Sequence, residues 1–168
     1  MSKLELIQPL YEYNEWANGK VLEAASGLGA EDFSHSRGAS FGSIEGTLAH
    51  VMAGQVVWLE RWMRGANRRS LMELQSLRGF EAIRGALAES HRGLRDFAAS
   101  LTEERLDEVL AYTDSRGQAH ERVLWQLMLH VANHGTQHRS EAAMVLTDMG
   151  RSPGEIDYVF FEIGRERE

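Results

Sequence analysis

The sequence predicts an all-α protein, a four-helix bundle with long crossover connections, and three observations predict it. Four stretches carry apolar residues at spacings of three and four, the repeat of a single helix face. There are 2 prolines against 16 glycines in 168 residues, so little interrupts a long helix, and glycine falls mainly in turns or at close helix contacts. Two long connections, about residues 30–42 and 102–120, argue against a plain up-down-up-down bundle, and one or both are candidate crossovers. A single domain spanning 1–168 accounts for this length.

The first helix is expected from about Lys3 to Ser26. Leu4, Ile7, Tyr11, Ala17, Val21, Ala25 and Leu28 share its face, with Asn14 in the same series, and Gly27 and Gly29 end it. Ser43 offers an N-cap oxygen to the second helix, with Gly46 where a capping box would place Glu. The stripe of that helix is Ile44, Leu48, Val51, Gln55, Trp58, Leu59 and Trp62, and it ends near Arg64, before Gly65. Residues 66–77 are basic and ambiguous. A third helix is expected at about Gly79–Leu101, with Phe80, Ile83, Leu87, Leu94, Phe97 and Leu101 on its face. Val109, Leu110 and Tyr112, followed by Asp114-Ser115-Arg116-Gly117, predict an extended piece and a turn. The longest helix follows, about Glu121 to Met149, with Gly150 as its stop. Its stripe is Leu124, Leu127, Met128, Val131, Gly135, Ala142, Val145, Leu146 and Met149. Pro153 suits the first turn of a last helical segment, Gly154–Ile163.

Composition excludes several functions. Lys+Arg is 18 and Asp+Glu is 25, a net charge of −7, which suits neither a nucleic-acid backbone nor its phosphates. With 0 cysteines there is no disulfide, thiolate nucleophile, Cys-ligated zinc or iron–sulfur cluster, so any thiol chemistry needs an external thiol. Residues 1–16 are mixed-charge with no apolar run, and no stretch approaches the roughly 18 apolar residues of a membrane span. A cytoplasmic protein without a nucleic-acid or membrane partner is expected.

Of the seven histidines, His130, His134 and His138 are successively four apart. Two imidazoles at i and i+4 on a helix can converge on one ion. The run His134-Gly135-Thr136-Gln137-His138 lacks the general-base Glu of the metalloprotease helix, which argues against a zinc protease. At about 100° per residue, His138 lies roughly 40° from the stripe centre, His134 roughly 80° and His130 roughly 120°. The pair His134/His138 therefore faces the interior better than His130/His134, and Gly135 between them permits close approach. A third ligand must come from another helix, and His50 is the histidine of the second one, on the flank that carries Thr47 and Gly54. His35 and His120 fall in connections, and His91 on the polar side of helix three.

The segment Leu129-His130-Val131-Ala132-Asn133-His134-Gly135-Thr136-Gln137-His138-Arg139 resembles the last-helix signature of the DinB family of damage-inducible proteins, grouped with YfiT-like metalloenzymes. The likeness extends to Tyr13-Asn14-Glu15-Trp16-Ala17-Asn18, to Ser43-Ile44 through His50 with Trp58-Leu59, and to Pro153–Phe161 with Asp157-Tyr158. The chain departs from that pattern at Ser140-Glu141, where the family often has Gly-Gln, and at Gln137. The resemblance implies a bundle with a crossover and a divalent metal, zinc or nickel, held by His50, His134 and His138. It also implies a homodimer and, as in some relatives, the use of a low-molecular-weight thiol as substrate or cofactor.

A three-histidine ion with an open position supports a metal-dependent enzyme, either a thiol-dependent S-transferase or a small-molecule hydrolase. The alternative is a non-catalytic metal-binding or stress-response protein, its site closed by a fourth ligand, for which His130 is the candidate. Glu141 either orients a ligand or is a solvated carboxylate, and the second reading is favoured. Asn14 either serves the site or joins a buried polar contact between helices, again with the second favoured. Trp16, Trp58, Trp62 and Trp125 read as core and interface anchors. Arg61, Arg64, Arg68 and Arg69 recognise an anion or form a solvated helix end, with the latter preferred.

Overall fold

The computed structural model describes residues 2–66 and 68–166. In chain order these form α1 (Lys3–Ala25), α2 (Ala30–Ser34), α3 (Ile44–Arg64), α4 (Leu71–Gln75), α5 (Phe80–Ala99), α6 (Glu103–Leu106), β1 (Val109–Thr113), β2 (Ala119–Val123), α7 (Leu124–Asp148) and α8 (Tyr158–Arg165). The four long helices α1, α3, α5 and α7 make an all-α bundle to which one β-hairpin is attached. No helix among the described residues is long and apolar enough to cross a membrane.

Local chemistry sets the helix ends. The Ser43 hydroxyl accepts from the Gly46 N–H at 3.0 Å and starts α3 as expected. Gly46 cannot carry the Glu of a capping box, because a Cβ there would run into the Phe41 carbonyl oxygen. Gly65 ends α3 in the left-handed conformation at φ 75°.

α1 packs against α5 and α7, and α3 packs against the same two, so α1 and α3 share one diagonal of the bundle and α5 and α7 the other. Side-chain contacts give the directions. Tyr11 and Asn14 of α1 reach Met128 and Arg139 of α7, a parallel pair. His50 and Trp58 of α3 meet His138 and His130 of α7, an antiparallel pair. Gln55 and Trp62 of α3 meet Ser90 and Phe97 of α5, a parallel pair. Two parallel helices adjacent in sequence need a connection that runs back along the bundle. Residues 68–79 lead back to the start of α3, where the Gly79 N–H donates to Glu45 Oε1 at 2.8 Å. The lengthwise crossover therefore lies between α3 and α5, described over residues 68–79, and the connections after α1 and α5 cross the bundle ends on the diagonals.

Three boundaries differ from the sequence expectation. The extended piece at 109–113 is paired, with Val109 opposite Val123 and Thr113 opposite Ala119, so Glu121–Val123 belong to β2 and α7 begins at Leu124. The last helix begins at Tyr158 rather than Gly154, because Gly154 is held at φ 72°, outside helical space. The connection at 30–42 contains the short helix α2, which buries Phe33.

Beside a small apolar cluster of Tyr13, Ala17 and Phe161, where α8 meets α1, the interior has two large ones. One gathers Leu48, Met52, Ile83, Leu87 and Leu146, and the other Tyr11, Trp62, Leu94, Leu124 and Met128. Between them runs a layer of buried polar residues: Asn14, Asn18, Gln55, Ser90, His91 and Arg139. Arg139 Nη1 donates to Asn14 Oδ1 at 2.7 Å and to Asn18 Oδ1 at 3.2 Å. Asn18 Nδ2 lies 2.8 Å from His91 Nε2, and the Ser90 hydroxyl donates to Gln55 Oε1 at 2.7 Å. Each of these bonds joins two helices at fixed heights, which opposes sliding of one helix past another.

Candidate metal centre

His50, in the second turn of α3, and His134 and His138, one turn apart on α7, converge where the two helices face each other. Each offers one ring nitrogen, and the three nitrogens lie within 4.8 Å of one another. The Nε2 atoms of His50 and His134 are 2.8 Å apart, and the rings of His50 and His138 are 4.7 Å apart between centroids. Burial of the α7 histidines follows the angles expected from the sequence: His138 is buried, His134 intermediate and His130 exposed.

Residues around the cluster fix the rings. Gln75, from α4, places Oε1 3.3 Å from His50 Nδ1. Glu141, one turn beyond His138, places Oε1 3.2 Å from His138 Nδ1, and its Oε2 accepts the Ser40 N–H at 3.0 Å. An amide oxygen and a carboxylate both accept, so Nδ1 of His50 and of His138 carries the proton and Nε2 keeps its lone pair. The Phe41 ring stacks on His50 at 3.7 Å. Gly54 leaves room for His134, since a Cβ there would stand 3.0 Å from His134 Cε1. Replacing Gln75 by Leu or Glu141 by Ala is expected to weaken metal affinity about 10- to 100-fold, measured by competition with a chelator. Unchanged affinity in both would mean that these residues do not hold the rings.

The electrostatics favour the neutral form of His50 and His134. Burial pushes the His134 imidazolium down to about 3, with His50, His138 and His130 adding to the shift. Burial also lowers His50, and nearby His138 acts in the same direction, against the Gln75 hydrogen bond and Glu141. Burial raises the Glu141 carboxyl, but hydrogen bonds from Ser40 and the nearby His138 outweigh it and leave the group below its usual range. Three neutral imidazoles are the donor set that a borderline divalent ion takes, so the residues present fit a metal.

The structure brings together the three histidines singled out by spacing and leaves His130 outside the set, with its ring against Trp58 at 5.4 Å. Glu141 is a ring-orienting partner rather than a solvated carboxylate. Asn14 joins the interhelical layer through Arg139, as favoured. His91 is buried against Asn18, not on a polar face. His120 bonds Asp114 at 3.0 Å within the hairpin. Arg61 is no solvated helix end, because its guanidinium lies 4.8 Å from the Trp58 ring centre. Gln75 and Phe41 carry no periodic signal in the sequence and are visible only in the fold.

A crossed four-helix bundle with three histidines gathered between its second and fourth long helices defines a class of helical proteins equipped to bind a metal. The chain belongs to the DinB family, whose sequence model matches residues 1–168. It is similar to Protein DinB of Bacillus subtilis (strain 168), at 25% identity over 158 residues that cover 89% of each chain.

Proposed function

We propose that this chain is a metal-dependent enzyme in which His50, His134 and His138 hold one divalent ion, zinc or nickel, and leave a coordination position open. The observation that supports it is the convergence of three imidazole nitrogens with no fourth His, Asp or Glu in the set among the described residues. A divalent ion bound there supplies Lewis acidity, favouring the deprotonated form of a water or thiol at the open position. Glu141 and Gln75 hold two rings with their lone pairs inward, and Phe41 keeps water from one face of His50. The chain has 0 cysteines, so a thiol would be an external low-molecular-weight one, and the reaction is thiol-dependent S-transfer or hydrolysis of a small molecule. A non-catalytic metal-binding or stress-response role calls for a closed site. The same proposal takes the protein as a cytoplasmic homodimer, and sedimentation tests the dimer.

The experiment is metal content per chain, measured by plasma mass spectrometry on untagged protein beside His134→Ala. About one zinc or nickel per chain, lost in the variant, is the expected result. Full metal content in the variant would overturn the ligand assignment.

A further inference from the structure

The seam between α3 and α7 continues past the histidine cluster. One turn along α7 from His134 stands His130, its ring centre 5.9 Å from that of His134. One turn along α3 from Gly54 stands Trp58, which meets His130 edge to face at 5.4 Å. The hairpin closes the far side, with Tyr112 of β1 at 4.9 Å from Trp58. These three rings, with Leu127, Arg122 and Gln126, line a cavity of about 280 Å³. That is close to the lower end of ligand pockets, about 300 Å³.

Two features distinguish this cavity from ordinary surface. Trp58 and Tyr112 are only partly buried and His130 is exposed, although burying these rings would stabilise the fold. Arg122 makes no ion pair among the described residues, and its Nη1 donates to the neighbouring Glu121 carbonyl oxygen instead. In a chain of net charge −7, a guanidinium without a carboxylate beside an aromatic wall is suited to an incoming anion. The wall is held in advance. Arg61 Nη2 donates to the Thr113 carbonyl oxygen at 2.8 Å, and its guanidinium lies over both Trp58 and Tyr112. Fixing the hairpin before a ligand arrives lowers the ordering cost of binding.

We infer that this cavity takes a small organic oxyanion, a carboxylate or phosphate ester on a flat apolar body. Arg122 pairs with the acid group and Trp58 and Tyr112 cover the body. The ligand lies one helical turn from His134, where the proposed enzyme would act on it. Only that last statement rests on the metal-enzyme reading; recognition of the anion does not.

The test is fluorine NMR titration of the protein with 4-fluorobenzoate, 4-fluorophenyl phosphate and the uncharged 4-fluorobenzyl alcohol, in metal-free, zinc-loaded and cobalt-loaded forms. At least one of the two anions is expected to bind saturably and the alcohol about tenfold or more weakly. Arg122→Ala, a change at an exposed hairpin position, is expected to lower anion affinity by about tenfold, with Arg122→Lys recovering part of it. Whichever anion binds more tightly identifies the acid group. Cobalt-loaded protein is expected to broaden the bound fluorine signal where zinc-loaded protein does not. Absence of anion binding, equal binding of the alcohol, or full affinity in Arg122→Ala would overturn the proposal. If the protein takes up no metal, the metal-enzyme reading fails by itself, and the metal-free titration still decides whether the cavity binds an oxyanion.

Discussion

Replacing Asn14 by Leu is expected to lower the unfolding free energy by about 3 kcal/mol, read from urea denaturation. Arg139 is 1% exposed, and no carboxylate among the described residues pairs with it. Its charge is held by neutral oxygens: Asn14 Oδ1 at 2.7 Å, Thr136 Oγ1 at 3.0 Å and Asn18 Oδ1 at 3.2 Å. The Tyr13 ring lies 5.3 Å from the guanidinium carbon and adds a cation–π contact. Leucine removes the nearest of these acceptors and leaves a buried guanidinium undercompensated, which costs more than an ordinary lost hydrogen bond. Gly135→Ala gives a second reading of the same network. Alanine favours a helix by about 1 kcal/mol over glycine, yet a Cβ at 135 would stand 2.6 Å from Asn14 Oδ1 and 2.9 Å from Arg139 Nη1. The variant is therefore expected to be destabilised despite its better propensity. An Asn14→Leu loss below about 1 kcal/mol, with a stabilised Gly135→Ala, would show that the network carries no such weight.

The same layer explains what could be read in the sequence and what could not. The convergence of His134 and His138 was legible because both lie within a quarter-turn or so of an apolar stripe, and α7 is uninterrupted from Leu124 to Asp148. His50 was legible because its helix has a clear stripe and a capping serine. His91 was misplaced for a physical reason. It sits between Leu87 and Leu94 on the buried face of α5, but a polar residue on a stripe looks like a surface residue until its partner is known. That partner, Asn18, lies on the stripe of another helix, and pairing across helices has no signature in a single chain's periodicity. The crossover was hidden similarly. Apolar spacing gives each helix its inner face but not its direction, so nothing in the pattern shows that α3 and α5 run parallel. Gln75 reaches His50 only because residues 68–79 return along α3.

His91 also predicts the pH dependence of the fold. Burial, then Arg139 and Arg95, push its imidazolium from 6.5 down to about 4. Above pH 6.5 the ring is neutral in both folded and unfolded chains, and this contribution to stability is complete. Below 6.5 the unfolded chain takes up the proton while the folded chain does not, so stability falls with pH until about 4, where the folded ring titrates as well. At about 1.36 kcal/mol per pH unit the whole loss comes to about 3 kcal/mol. His134 titrates in the same sense in metal-free protein, so the His91 share must be isolated by comparison. Unfolding free energies of wild type and His91→Gln, both metal-free, should be measured from pH 7 to 4. The wild type is expected to lose about 3 kcal/mol more than the variant across that window. Parallel curves would mean that the proton reaches His91 in the folded protein without cost, and that the Asn18 contact does not hold the ring neutral.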